Sequence, residues 1–205
     1  MLTKLIIAIL PIHAVLRFNF KRRLLYLGIG AAVFLAAYSA GAAFPLSEEE
    51  AALVRDQFAE QIEGIDQYGI FFNNFRIALA MFIPAAGAGT GAFVGFATGT
   101  VYSAIAEQTP GLSNIPPLLI FITPFGIMEL FVYALAMSRS GILIVRIVKD
   151  KPWRPDQRRM FYGNTLKPTF IELGIVAAVL FAAAIIEWEI IELLGGLDST
   201  ILQPS

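Results

Sequence analysis

The chain has 205 residues, of which 57% are hydrophobic and 15% charged, with a mean hydropathy of +0.70. Soluble domains carry about 25% charged residues, so this composition excludes an ordinary soluble domain and indicates an integral membrane protein. A formal net charge of −1 gives no basic surplus for nucleic acid, and the absence of Cys removes disulfides, thiolate metal sites and cysteine nucleophiles.

Residues 1–23 read as an interfacial N-terminus. Leu5–Phe20 is apolar but carries Pro11 and a basic end, so it is too short to span and is predicted as an interfacial helix. The single histidine, His13, lies in it, and a lone His is expected to pack or sit at the interface rather than ligate metal. Residues 24–46 form the first span of about 20 apolar residues. The bases before it and Ala40-Gly41-Ala42 near its end mimic a cleavable signal peptide, but the expectation is a retained anchor. Residues 47–67 are predicted as an amphipathic outer helix. Ser47 can cap it, Glu50 completes a capping box, and Leu53, Phe58 and Ile62 give a partial apolar stripe.

Tyr68–Ala106 is too long for one span and is interrupted at Pro84-Ala-Ala-Gly87-Ala-Gly89. It reads as two short helices, 70–85 and 90–105, joined by a small-residue turn. The next span covers 116–138, and 139–164 reads as a basic loop, within which Gly141–Val148 either extends the span or lies along the interface. The last span covers 165–187. The fold class is therefore all-α: a polytopic transmembrane helix bundle of about five spans in a single membrane domain.

Loop charges orient it. Arg17, Lys21, Arg22 and Arg23 precede the first span, whereas the segment after it holds seven acids, Glu48 to Asp66, against Arg55 alone. Arg139, Arg146, Lys149, Lys151, Arg154, Arg158, Arg159 and Lys167 follow the fourth span, and Glu187, Glu189, Glu192 and Asp198 follow the last. Lys and Arg favour the cytoplasmic side, which places the N-terminus inside and the C-terminus outside the cell membrane. An odd number of crossings must then lie between 67 and 139. Three are favoured; one would fit if Tyr68–Ala106 were re-entrant.

Arg76, Glu129 and Glu172 remain inside apolar segments. A charge deep in a span costs roughly 2.5–3.5 kcal/mol on insertion scales, so such residues are usually paired or functional. Pro124 and Gly126 free backbone groups close to Glu129. Arg76 lies roughly 9 Å from the outer end and Glu129 roughly 20 Å, a gap that favours a bridge through Asn73, Asn74 or water over direct pairing. Glu172 can reach the basic loop. Gly87, Gly91, Gly95 and Gly99 share one helical face and predict close helix packing, within the chain or with another. No catalytic set, metal cluster or cofactor motif emerges.

The Asn73-Asn74 entry to the second span, the glycine stretch 87–99 and Pro124-Phe125-Gly126-Ile127-Met128-Glu129 together resemble the stage II sporulation protein M family over roughly residues 68–187. Members look like five-span proteins with a cytoplasmic N-terminus and Pro-His-Gly-x-x-Glu in the fourth span. Here Phe125 replaces the usual His, so Asn74, Gly126 and Glu129 carry over but no role carries to position 125. The resemblance implies a membrane scaffold that acts beside envelope-remodelling partners and has no catalysis of its own.

The leading expectation is a scaffold or accessory subunit of a larger membrane complex, with the bilayer and other membrane proteins, or a second copy, as partners. The competing expectation is a transporter or channel component using Asn73, Asn74, Arg76 and Glu129.

Overall fold

The computed structural model describes residues 20–107 and 115–195, so His13 and nearly all of the predicted helix Leu5–Phe20 lie outside the described residues, as does Asp198. The described residues are helical, with no strand among them. The helices are α1 (Phe20–Ala42), α2 (Glu48–Ile62), α3 (Gln67–Met81), α4 (Gly87–Ala106), α5 (Pro124–Asp150), α6 (Pro155–Phe161) and α7 (Lys167–Gly195). A 3-10 turn, Pro117–Ile122, precedes α5, and a π-turn, Tyr162–Leu166, joins α6 to α7.

Three stretches are long and apolar enough to cross a membrane: Arg22–Ala42, Pro124–Asp150 and the continuous Pro155–Leu193. This is fewer than the five spans read from sequence. The α3 helix has 15 residues, short of the ~20 a span needs. The α4 helix has 20, but its many glycines and hydroxyls dilute its hydropathy.

Helix α5 departs from its expected bounds at both ends. Pro116-Pro117 starts a 3-10 turn instead of the helix. The helix begins at Pro124, where Thr123 Oγ1 caps it by accepting the Gly126 N–H at 3.1 Å. At the other end it runs through Arg139 to Asp150, so much of the predicted loop 139–164 is helix, and α6 adds a further short helix. Lys151, at a φ of 44°, takes the left-handed conformation that ends α5.

The bundle is built around α5, whose residues Val132 to Ser140 are all buried. Phe34 of α1, Met81 of α3, and Val176 and Leu180 of α7 join Val132 and Ala136 in one core. Phe34 stacks obliquely on Tyr133 with ring centroids 5.5 Å apart, and Tyr38 meets Phe121 edge-on at 4.8 Å.

The glycine face of α4 is used within the chain. A Cβ at Gly95 would lie 2.8 Å from Phe34 O, and one at Gly99 only 2.1 Å from Tyr38 O, so these two let the α1 backbone approach. Gly87 and Gly91 face Ser140 and Met137 of α5. Helix α1 returns the contact through Gly41, which abuts the Phe96 backbone, and approaches α5 through Gly30, which abuts Ala134. Helices α1 and α4 run in the same direction and α5 runs opposite to both, as the order of these contacts along each helix requires.

Candidate functional site

The polar side chains inside the bundle fall into two layers along α5. The first lies near its start. Asn74 Nδ2 of α3 donates to Glu129 Oε1 at 2.5 Å. Glu187 of α7 is close enough to act electrostatically on both Glu129 and Tyr133, and its Oε2 is buried without a hydrogen-bond partner. The layer is thus two carboxyl groups and one amide, drawn from three helices.

The late start of α5 explains why these groups meet. With the helix beginning at Pro124, Glu129 stands only ~8 Å along it, not ~20 Å, which brings it level with Asn74. Gly126 is needed there: a Cβ would fall 2.2 Å from Ile120 O, into the 3-10 turn.

The other expected members do not join. Asn73 and Arg76 pair with each other elsewhere on α3, where Arg76 Nη2 donates to Asn73 Oδ1 at 3.2 Å. An expected convergence of Asn73, Asn74, Arg76 and Glu129 is therefore replaced by two separate pairs. Residues three apart on a helix share a face, whereas adjacent ones do not, which splits Asn73 from Asn74.

The second layer lies at Ser138, Arg139 and Ser140. Arg139 Nε donates to Glu172 Oε2 at 2.7 Å, and its Nη2 pairs with Oε1, making a bidentate bond. Arg23 of α1 pairs with the same carboxylate and donates to Ser138 Oγ at 2.5 Å. Two guanidiniums thus share one carboxylate, with side-chain exposures of 17% for Arg23, 8% for Arg139 and 15% for Glu172. Ser140 Oγ donates to Ile83 O at 2.5 Å and accepts the Gly87 N–H at 3.1 Å, which clamps the turn between α3 and α4. That turn includes Ala85 at a φ of 69°, a strained position for a residue with a Cβ.

Sequence reasoning finds Glu129, Asn74 and Glu172 but leaves Arg23, Arg139, Ser138, Ser140 and Glu187 as end or loop residues. The signal for Arg139 is the apolar run after it, Gly141–Val148, which continues the helix. The signal for Glu187 is Ile190-Ile191 beyond it.

Between the layers, roughly 15 Å apart along α5, Val132, Ala136, Val176, Met81 and Leu180 are 0–1% exposed. These apolar side chains pack together between the two polar layers, with Tyr133 in the same core. A sizeable depression lies elsewhere, at the acidic end, lined by Phe44, Tyr102, Glu107 and Pro117 among others. Among the described residues no cluster of metal-ligating side chains is large enough to hold an ion. The arrangement joins helices: Asn74 of α3 to Glu129 of α5, and Arg23 of α1 and Arg139 of α5 to Glu172 of α7.

The family profile of Stage II sporulation protein M matches residues 24–188, from the start of α1 almost to the end of α7. No curated protein and no solved structure matches the chain.

Proposed function

Because this chain belongs to the stage II sporulation protein M family, we propose that it is a multi-pass membrane scaffold or accessory subunit of a larger complex, without catalysis of its own. The observation that carries this reading is the packed core between the polar layers, where Val132, Ala136, Val176 and Leu180 are buried against one another. Polar groups placed this way stitch α1, α3, α5 and α7 together.

Five crossings fit this reading. The α3–α4 turn hydrogen-bonds to Ser140, one residue beyond Arg139, so the hairpin reaches as deep as the second polar layer. Loop charge favours the basic end as cytoplasmic and the acidic α2 as outside. On α2, Asp56, Glu60 and Glu63 are exposed, while Ala51 is buried and Arg55 donates to Ala104 O at 3.1 Å. The helix is thus fixed to α4 on one side and open on the other, which suits a partner with basic extracytoplasmic segments.

Photo-crosslinking from position 60 in intact cells tests the reading. A discrete adduct with another membrane protein is expected. Labelling of lipid and water alone, together with a uniform monomer in mild detergent, overturns it.

One observation favours the transport alternative: beside Glu129, the Glu187 Oε2 is buried without a hydrogen-bond partner among the described residues. Solute flux abolished by Glu129→Gln, with folding intact, would move the assignment to that reading.

A further inference from the structure

At the basic end, α5 continues past Arg139 as far as Asp150 before turning at Lys151. Its exposed side chains there change character abruptly. Val145 and Val148 are 48% and 61% exposed and apolar. Beyond them Lys149, Lys151, Arg154, Arg158 and Arg159 are all exposed, and among the described residues none of these five forms an ion pair. Asp150 is engaged by Arg146 at 3.6 Å, which leaves Asp156 as the exposed acid of this segment. Trp153 is 62% exposed among these bases, with Met160 and Tyr162 following.

The apolar-to-basic border falls at Val148, roughly 14 Å beyond the Arg139 layer along α5. A bilayer edge drawn at Arg139 would leave Val145 and Val148 in water. An edge drawn at Val148 covers them. It encloses the Arg23–Glu172–Arg139 cluster, whose charges are already shared, and sets Lys149 to Arg159 among the headgroups. Trp and Tyr concentrate at this interface, and bases there attract anionic lipid.

We infer that Lys149, Lys151, Arg154, Arg158 and Arg159, with Trp153 as the inserted anchor, form a docking surface for anionic phospholipid headgroups. Opposite charge supplies the attraction, and the indole supplies an apolar body with a polar N–H suited to the boundary. The inference rests on the membrane reading above for which leaflet supplies the lipid, but the surface itself does not depend on orientation.

The test uses the full chain carrying Trp188→Phe, which leaves Trp153 as its one tryptophan. It is placed in nanodiscs of phosphatidylcholine alone, or of phosphatidylcholine and phosphatidylglycerol in equal parts, each with brominated acyl chains. Trp153 emission should shift to the blue and be quenched by bromine in the anionic discs. Both effects should weaken in neutral discs and in high salt, where the screening length falls to about 3 Å at 1 M. The charge reversal R154E/R158E/R159E should abolish the preference for anionic discs. If that variant does not fold, the salt series on the unreversed chain decides the same point. Equal quenching in both discs overturns the charge assignment. Emission typical of water in both discs overturns the surface altogether, as does protection only after an RNA or an acidic protein is added. Labelling of a Lys151→Cys chain from either side of intact cells reports orientation separately, because the chain has no other cysteine.

Discussion

Asn74 donates its side-chain amide to Glu129 across 2.5 Å, so one polar residue of α3 and one of α5 satisfy each other inside the bundle. Removing Asn74 leaves the carboxyl facing Glu187 without its donor. A buried acceptor left unsatisfied costs about 1–3 kcal/mol, and Asn74→Leu should lower stability by that much. Glu129→Gln should cost less, near the ~0.6 kcal/mol average for interhelical bonds in membranes, because the amide oxygen still accepts. The double variant Asn74→Leu/Glu129→Leu should be milder than Asn74→Leu alone. Thermal unfolding in mild detergent measures these variants together with the single Glu129→Leu, and strict additivity of Asn74→Leu and Glu129→Leu in the double variant would refute the pairing.

The Arg23–Glu172–Arg139 cluster behaves differently, because one carboxylate serves two cations. Glu172→Gln strands both guanidiniums in a largely buried site. Breaking a buried pair typically costs 3–5 kcal/mol, so this variant should be the most damaging single polar substitution in the bundle. Arg23→Met should be far milder, since Arg139 keeps its bidentate bond and the local charges then balance. Expression level and melting temperature in one detergent rank the variants; equal damage from both would mean that the sharing of Glu172 is not what stabilises this layer.

Much of the architecture is legible in the residues. Ser47 and Glu50 place the start of α2, and the Gly87–Gly99 spacing places a packed face on α4. Thr123-Pro124 carries a helix-start signal too, but a continuous apolar run from Pro116 hides it and sets Glu129 too deep. The partners of the glycine face are not legible, because periodicity shows that a face is small without showing what approaches it. Arg23, Arg139 and Glu187 escape detection for one reason: each sits where an apolar run pauses, and a pause reads as an end unless the helix is known to continue. Proximity in sequence points Glu172 toward Lys167, whereas its partners come from α1 and α5.

The close approach of α1 and α4 makes a sharp prediction about glycines. At Gly99 a Cβ would sit 2.1 Å from Tyr38 O, and at Gly41 it would sit 2.0 Å from Phe96 O; in both cases the obstacle is backbone. Gly99→Ala and Gly41→Ala should therefore each cost at least the roughly 1–3 kcal/mol typical of overpacking. Gly174, in α7, has nothing within 4 Å of its Cβ position. Gly174→Ala should be neutral, or stabilise by about 0.5–1 kcal/mol through reduced backbone freedom in the unfolded chain. If melting temperatures show the three substitutions to be alike, the α1–α4 contact is not the tight one described.

The outer helix α2 carries the pH prediction. Ser47 N–H donates to Glu50 Oε2 at 2.8 Å, Ser47 Oγ lies 2.7 Å from the same oxygen, and Glu50 N–H donates back to Ser47 Oγ at 3.3 Å. The bond from the Ser47 backbone, followed by that from its hydroxyl, holds the Glu50 carboxyl below its ordinary value. A lowered folded-state pKa means that the contribution is complete above the ordinary Glu value, near about 4.3, and is lost as pH falls through the lowered one. The first turn of α2 should therefore loosen in acid, seen as titrating amide signals for Ala51 to Leu53 in a nanodisc. Ser47→Ala should loosen it at every pH, at a cost of about 0.5–2 kcal/mol for a lost N-cap. Glu50→Gln should keep the reciprocal cap but lose the acid dependence, since Gln serves the same capping role without titrating. An unchanged acid transition in Glu50→Gln would assign it to Glu48 or Glu49 in the same turn, and the capping box would then not be the pH-sensitive element of this helix.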